Sequence, residues 1–207
     1  MPLSGRADRR SAYTTDAADY DRRTAAHMTY RRMIVEELAL GDGDVVLDVG
    51  CGTGLCFAAV RERIGPTGTV VGVDASADML DQARERIREN GWTNVVLLEG
   101  PVQEVALPVA DHALFCAVHD VLQSGPALDA VLARVRPGGS VAAGGGKWAP
   151  AWAVGLNAAV LAMHAPYISD FAGFDRPWVP LAQRLPGLAV REVAFGSGFV
   201  ASGVLPA

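Results

Sequence analysis

A glycine-rich segment between two apolar runs is the part of this sequence best suited to chemistry. It reads Asp48-Val-Gly-Cys-Gly-Thr-Gly54 and overlaps the end of the apolar run Val45–Val49. Glycine allows backbone angles closed to other residues, and free N–H groups at a helix start can face a ligand. Asp74 ends the next apolar run, where an acid accepts hydrogen bonds from ribose hydroxyls in nucleotide-binding α/β folds. The pattern predicts a site for an adenosine-type cofactor.

The glycine spacing and the charge of Asp48 indicate which adenosine cofactor to expect. A dinucleotide fingerprint, G-x-G-x-x-G, would place its third glycine at Leu55, whereas this sequence has glycine at Gly54. Asp48 lies two residues before Gly50, where a negative charge repels a pyrophosphate and attracts an ammonium group. S-adenosylmethionine has no phosphate and carries both a sulfonium and an ammonium. We therefore expect S-adenosylmethionine rather than a nicotinamide cofactor.

A histidine and an acid follow the fourth predicted strand. Ligands of open parallel sheets bind beyond the carboxyl ends of the strands, so residues 117–120 are expected to face the cofactor. Ala117 would line the cofactor site, and His119 and Asp120 are candidates for a general base, because histidine titrates near neutral pH. The alternative is that His119 only hydrogen-bonds a neighbouring helix.

Aromatic residues are concentrated in two segments outside the alternating core. One is the N-terminal region, and the other is the stretch from Lys147 to Trp178, which holds every tryptophan except Trp92. Concave apolar surfaces of this kind bind apolar ligands. The pattern predicts a pocket for an apolar or aromatic substrate, and a hydrophobic roof without a role in specificity is the alternative. The candidate substrate residues are Tyr13, Tyr20, Trp148, Trp152 and Tyr167.

Short apolar runs alternate with segments of helical periodicity from residue 45 to residue 143. This alternation favours βαβ units and a parallel sheet. We expect a helix to end at Pro137-Gly-Gly139 before a fifth strand, and the tail to form two strands, Val190–Phe195 and Phe199–Leu205, in a tight glycine hairpin. We predict an α/β, Rossmann-like three-layer sandwich. Its mostly parallel seven-stranded sheet ends in an antiparallel C-terminal hairpin, and an N-terminal helical lid is added.

The length of 207 residues favours one domain. We divide it into an N-terminal helical cap (1–40), a cofactor-binding core (41–146), a substrate-covering insertion (147–187) and a C-terminal hairpin (188–207). The cap is rich in arginine, but acidic residues are interleaved with the arginines. We interpret this pattern as a solvated helix face rather than a phosphate contact.

Charge and composition disfavour several classes of protein. The net charge of −5 argues against a nucleic-acid partner, since such proteins usually carry a basic surplus. The three cysteines form no C-x-x-C pair, so neither a disulfide framework nor a metal site is expected, and a cytoplasmic location is the natural expectation. No apolar run approaches the length of a membrane span, so no membrane partner is expected.

Three motifs together resemble the class I S-adenosylmethionine-dependent methyltransferases, specifically the small enzymes built on a methyltransferase domain. They are residues 45–54, residues 65–80, which include Asp74, and residues 135–139. The resemblance is good from about residue 40 to residue 140 and concerns only the architecture in the tail. It implies the fold and methyl transfer from S-adenosylmethionine. It is unspecific for the substrate.

The resemblance also assigns cofactor contacts to single residues. The acid and the glycine loop would hold the methionine part, the acid after the second strand would bind the ribose, and two residues beyond it would pack against adenine. In that order these residues are Asp48, Gly50, Cys51, Gly52, Gly54, Asp74, Ala75 and Met79. Relatives often have an acid after the third strand that contacts the adenine amino group, but here Pro101 replaces it. The contact is then expected from the backbone of Val102 or from Gln103.

Methyl transfer mainly requires that donor and acceptor are aligned, and proximity alone can supply ~7–11 kcal/mol. A base such as His119 is needed only if the acceptor loses a proton. The alternatives on the same fold are an RNA or protein methyltransferase and a non-methylating S-adenosylmethionine-binding protein or cyclase. The acidic net charge and the aromatic insertion favour a small-molecule acceptor.

Overall fold

The computed structural model describes Asp21, residues 28–168 and residues 170–206. Within these residues seven strands form one sheet: β1 Val45–Val49, β2 Thr69–Asp74, β3 Val95–Glu99, β4 Ala110–Cys116, β5 Val135–Gly146, β6 Ala189–Val193 and β7 Gly198–Val204. The helices are α1 Met28–Glu36, α2 Phe57–Ile64, α3 Ala77–Glu89, α4 His119–Leu122, α5 Gly125–Leu132, α6 Val154–His164 and α7 Val179–Ala182. A 3₁₀ turn, Ala194–Gly196, precedes β7.

The order of the strands in the sheet is β3-β2-β1-β4-β5-β7-β6. The first five strands pair in parallel, and β7 runs antiparallel to both of its neighbours, β5 and β6. The strand order switches between β1 and β4, because β2 and β3 are added on one side of β1 and β4 and β5 on the other. A crevice opens at such a switch point, beyond the carboxyl ends of the strands. The predicted Rossmann-like sheet with its antiparallel C-terminal hairpin is confirmed.

A hydrophobic core lies on each face of the sheet. Helices α1, α2 and α3 bury Ile34, Phe57 and Leu80 against one face. Helices α5 and α7 bury Leu128 and Leu181 against the other. The strands are apolar on both sides for this reason, as expected of a parallel sheet covered by helices. The three layers hold the carboxyl ends of β1, β2 and β4 side by side.

Two predicted boundaries are wrong, both at glycines. The segment Pro137-Gly-Gly139 does not end a helix but lies inside β5, which begins at Val135. Val135 pairs with Ala110, and the register shifts between Ala110 and His112, so the segment is an irregularity in the strand. At the C-terminus Phe195 is not in a strand but in the 3₁₀ turn, with a φ of 56°.

A buried polar network closes the opposite, amino edge of the sheet. Nδ1 of His112 lies 2.7 Å from the hydroxyl of Ser140, and its Nε2 lies 2.9 Å from the carboxylate of Asp44. The Ser140 hydroxyl also accepts a hydrogen bond from the backbone N–H of Ala39. The network joins β4, β5 and the end of the α1 segment, and it therefore fixes the side of the sheet away from the cofactor loop.

No helix in the described ranges is long and apolar enough to cross a membrane. In the same ranges no group of three or more His, Cys, Asp or Glu side chains could hold a metal ion. The three cysteines are free thiols.

Candidate cofactor and active site

The glycine loop between β1 and α2 is folded tightly against the end of β2. The backbone N–H groups of Gly50 and Cys51 both donate to the carbonyl oxygen of Val73, at 2.7 and 3.0 Å. Gly50, Gly52 and Gly54 all have positive φ, which disfavours residues with a side chain. A Cβ at Gly50 would lie 2.5 Å from Val118, whereas a Cβ at Gly52 would meet nothing within 4 Å. The loop is therefore packed against Val118 at Gly50, whereas space is open beside Gly52.

Asp74, at the end of β2, braces this loop. Its carboxylate accepts hydrogen bonds from the N–H of Gly52 and from the N–H of Ser76, both at 2.8 Å. Burial raises the pKa of Asp74, and the hydrogen bonds from Ser76 and Gly52 lower it. Each carboxylate oxygen has a further lone pair, so the group can still accept hydrogen bonds from ribose hydroxyls. The bracing role was not predicted from the sequence.

A small cavity of about 40 Å³ lies beside the loop, lined by Arg31, Asp48, Gly50 and Ala117 among others. The side chain of Asp48 is only 2% exposed, and its Oδ2 has no hydrogen-bond partner among the described residues. Burial and the charge of Asp74 raise the pKa of Asp48 to about 7, against the lowering effect of Arg31. A buried carboxylate with a free oxygen is stabilised by a bound cation.

Arg31 is one of the cap arginines that were predicted to lie on a solvated helix face. It is instead only 6% exposed and faces this cavity. The sequence did contain an indication that Arg31 is buried. It precedes the buried residues Ile34, Val35 and Leu38 by three, four and seven positions, so it lies on the same face of α1 as they do. The cavity thus has an acid and a guanidinium near one another, which suits an amino-acid group carrying both charges.

The residues predicted to contact adenine lie near the ends of β2 and β3. Met79, in the first turn of α3, and Val102 are buried, while Ala75, which directly follows β2, is exposed. The N–H of Gly100 donates to the carbonyl oxygen of Asp74 at 2.9 Å, which joins the two strand ends. Their roles toward adenine stay predictions.

Ala117 follows β4 with a φ of 59°, and its N–H donates to the carbonyl oxygen of Gly144 at 2.7 Å. This left-handed conformation is costly for alanine and is typical of functional sites. All three cysteines of the chain line the same cavity. A hydrogen bond that the Cys56 thiol donates to Cys116, together with burial, raises the pKa of Cys56, and burial raises that of Cys51. These two groups are therefore neutral thiols rather than thiolates.

His119, the first residue of α4, is buried beneath the insertion. Its Nε2 lies 3.1 Å from the carbonyl oxygen of Ala172, so Nε2 carries the proton and Nδ1 is left as an acceptor. Nδ1 is buried and has no partner among the described residues. Burial lowers the pKa of His119 from its usual 6.5. The imidazole is therefore neutral at pH 7 with a free basic nitrogen. Asp120, its neighbour, is exposed.

The insertion brings one of the predicted substrate residues into an aromatic cluster. Trp148 stacks on Phe171 at 5.1 Å and meets Phe174 edge-on at 5.2 Å, and Phe174 in turn contacts His119 at 5.1 Å. Tyr167 is half-buried, but Trp152 is 84% exposed and is not brought into the cluster. Tyr13 and Tyr20 lie outside the described residues.

Comparisons with known proteins agree on the family. A family model described as a methyltransferase domain matches residues 40–142. The chain is 37% identical over 110 residues to an arsenite methyltransferase of Halobacterium salinarum, covering 50% of this chain and 27% of that protein. It is 31% identical over 120 residues to a demethylmenaquinone methyltransferase of Anoxybacillus flavithermus, covering 56% of this chain and 50% of that protein. The aligned segments thus span half or less of these curated relatives.

The fold comparison reaches further along the chain than the sequence comparison. The crystal structure of a SAM-dependent methyltransferase from Aquifex aeolicus superposes with a TM-score of 0.68 and 19% identity, covering 93% of this chain and 98% of that one. At this identity the likeness shows the shared fold. Together with the domain match over residues 40–142, it shows that the chain belongs to the class I S-adenosylmethionine-dependent methyltransferase family.

Proposed function

We propose that this chain transfers a methyl group from S-adenosylmethionine to a small apolar or aromatic acceptor. The observation that carries the cofactor assignment is the buried, unpartnered Oδ2 of Asp48 in a cavity shared with Arg31. The amino-acid end of the cofactor has an ammonium that fits Asp48 and a carboxylate that fits Arg31. The pyrophosphate of a dinucleotide could pair with Arg31, but it would be repelled by Asp48 and would leave that buried carboxylate without a cation. The open space above Gly52 then lies where the rest of the cofactor would pass toward Asp74.

Calorimetric titration tests this assignment directly. We expect S-adenosylmethionine and S-adenosylhomocysteine to bind with one site per chain, and NAD not to bind. Because both sulfur compounds share the amino-acid end, both should also compete for the same site. Tight binding of NAD, or no binding of either sulfur compound, would overturn the proposal.

The chemistry needs little from the protein beyond alignment. When bound, S-adenosylmethionine supplies a methyl group on a sulfonium, which is already a good leaving group. The chain's own contribution is to fix the cofactor through Asp48, the glycine loop and Asp74, and to keep water away. The aromatic cluster of half-buried Trp148, half-buried Phe171 and buried Phe174 supports the second task.

The acceptor class follows from the insertion after β5. Residues 148–169 contain no Asp, Glu, Lys or Arg. Phe174 contacts His119 near the carboxyl end of β4, and Trp148 packs against Phe174. An acceptor held against this surface would be apolar or aromatic, since the aromatic side chains that form it carry no charge. By their names the two curated relatives act on arsenite and on demethylmenaquinone, so the shared domain does not fix the acceptor. The acceptor must be selected by parts such as this insertion.

His119 is the proposed base for an acceptor that loses a proton. Its neutral imidazole has a free Nδ1, and its lowered pKa keeps it neutral at pH 7. We expect His119→Ala to keep S-adenosylhomocysteine affinity and to lower methyl transfer to phenols about 10²- to 10⁴-fold. The wild-type rate should rise with pH as His119 loses its proton, be level at pH 7, and lose this rising limb in the variant.

The matched control is Gln123→Ala. Like His119, Gln123 fastens the insertion to the region after β4, since its side-chain amide donates to the carbonyl oxygen of Pro177 at 3.0 Å. It offers no base. An equal loss of rate in both variants, or an unchanged pH profile in His119→Ala, would show that His119 acts only as an anchor.

A further inference from the structure

Thr53, in the middle of the glycine loop, is hydrogen-bonded to two charged side chains, those of Asp21 and Arg86. It is 1% exposed, and its hydroxyl donates to Oδ1 of Asp21 at 2.6 Å. Its carbonyl oxygen accepts a hydrogen bond from Nε of Arg86 at 2.8 Å. Nη2 of Arg86 also pairs with Oδ2 of Asp21, which closes a ring of three interactions. No residue of the cofactor cavity takes part in this ring.

The ring joins parts of the chain that contact different ends of the proposed cofactor site. Thr53 belongs to the loop after β1, and Arg86 belongs to α3, which begins just after Asp74. The loop is therefore attached to the β2–α3 unit twice. The N–H of Gly52 donates a hydrogen bond to Asp74, and the carbonyl oxygen of Thr53 accepts one from Arg86. Asp21, which precedes α1 in the chain, contacts both Thr53 and Arg86 and so orients the hydrogen bond between them.

We propose that Asp21 and Arg86 are positioning residues for cofactor binding. Acting through Thr53, they hold the glycine loop in the conformation that pairs Gly52 with Asp74, and so they set cofactor affinity without touching the cofactor. This inference rests on the proposed function. The pair is partly exposed, with 27% of the Arg86 side chain and 36% of the Asp21 side chain accessible, so its strength depends on salt.

The decisive comparison is between two substitutions of one hydroxyl-bearing side chain. Thr53→Val keeps the shape and removes the hydrogen bond to Asp21, whereas Thr53→Ser keeps the hydrogen bond and loses a methyl group. We expect the dissociation constant for S-adenosylhomocysteine, measured by calorimetry, to rise roughly tenfold in Thr53→Val, the loss expected for a hydrogen bond to a charged group. Thr53→Ser should stay within about twofold of the wild type on the same basis.

Two arginines of α3 provide the second comparison. Arg86→Gln should weaken S-adenosylhomocysteine binding, while Arg84→Gln should not, because Arg84 pairs with Asp81 and Glu99 on the surface and does not reach the loop. Wild-type affinity should also fall between 50 mM and 500 mM salt, and this fall should be smaller in Asp21→Asn, which lacks the partly exposed ion pair with Arg86.

The outcomes separate this inference from the proposed function. If the wild type does not bind S-adenosylhomocysteine, the proposed function fails. If the wild type binds and Thr53→Val binds equally well, or if Thr53→Ser is weakened as much as Thr53→Val, the positioning role is wrong.

Discussion

Replacing Asp48 by asparagine is expected to remove S-adenosylmethionine binding while stabilising the ligand-free protein at pH 8. The binding loss follows from taking away the partner of a buried ammonium, which costs about 2–5 kcal/mol or more. We therefore expect at least roughly a thirtyfold rise in the dissociation constant. Calorimetry on both proteins at pH 8 measures it, and an unchanged dissociation constant would refute the role of Asp48.

The gain in stability follows from the raised pKa of Asp48, about 7 when folded against about 3.9 when unfolded. A carboxyl whose pKa is raised by folding favours the folded state while it is protonated, and this support is lost as pH rises from about 4 through 7. The wild type therefore carries a penalty of up to about 4 kcal/mol at pH 8 and about 1.5 kcal/mol at pH 5. The Asn variant should melt roughly 8–16 °C higher at pH 8, with a smaller gain at pH 5.

The same ionisation makes cofactor binding depend on pH. Only ionised Asp48 attracts the ammonium, so wild-type affinity should fall as pH drops below about 7, by up to tenfold per pH unit. In Asp48→Asn this dependence should be absent. A wild-type affinity that is constant from pH 6 to pH 8 would show that the carboxyl does not meet the cation.

Alanine substitutions at two glycines of the same loop are expected to separate folding from cofactor binding. In Gly54→Ala the new Cβ would lie 2.5 Å from Cδ2 of the fully buried Phe57, and the backbone would also be strained at a φ of 78°. Overpacking costs about 1–3 kcal/mol and the left-handed conformation about 1–2 kcal/mol. Since a whole domain is stable by only about 5–15 kcal/mol, Gly54→Ala should melt far below the wild type.

Gly52→Ala has the same backbone strain but no collision, because nothing lies within 4 Å of the new Cβ. It should cost only about 1–2 kcal/mol of stability. The methyl group would enter the open space that the cofactor needs, so S-adenosylhomocysteine affinity should fall about tenfold or more. Gly91→Ala is the matched control, since Gly91 has a φ of 62° and open space but lies at the far end of α3. Its cofactor affinity should be unchanged, and an equal loss of affinity at Gly52 and Gly91 would contradict the proposed path of the cofactor.

The fold could be predicted from the sequence where local patterns decide the structure. The apolar runs that form β1 and β2 depend only on residues adjacent in the chain. The start of β5 could not be predicted in this way. Val135 is held in the sheet by Ala110, a pairing that no local pattern reveals, so Pro137 and its glycines suggested the end of a helix.

The candidate site divides in the same manner. The order of strand, glycine loop and acid located Asp48 and Asp74, because these residues follow directly from strand ends. Arg31 and the ring around Thr53 depend on contacts across 17 to 65 positions of the chain, between residues that show no shared pattern. The charges of these residues suggested solvent exposure. The spacing of Arg31 from the apolar residues of α1 indicated its burial, but nothing in the sequence indicated that Asp21 and Arg86 meet at Thr53.

The position of β7 inside the sheet has a consequence for biosynthesis. β6 leaves the ribosome before β7, yet its pairing in the sheet is with β7, which also covers the outer edge of β5. Until β7 has left the ribosome and paired, the protein therefore exposes the unsatisfied backbone edge of β5, and β6 has no partner in the sheet. Such edges promote aggregation, so the interval before β7 docks is a period in which chaperones would protect this protein.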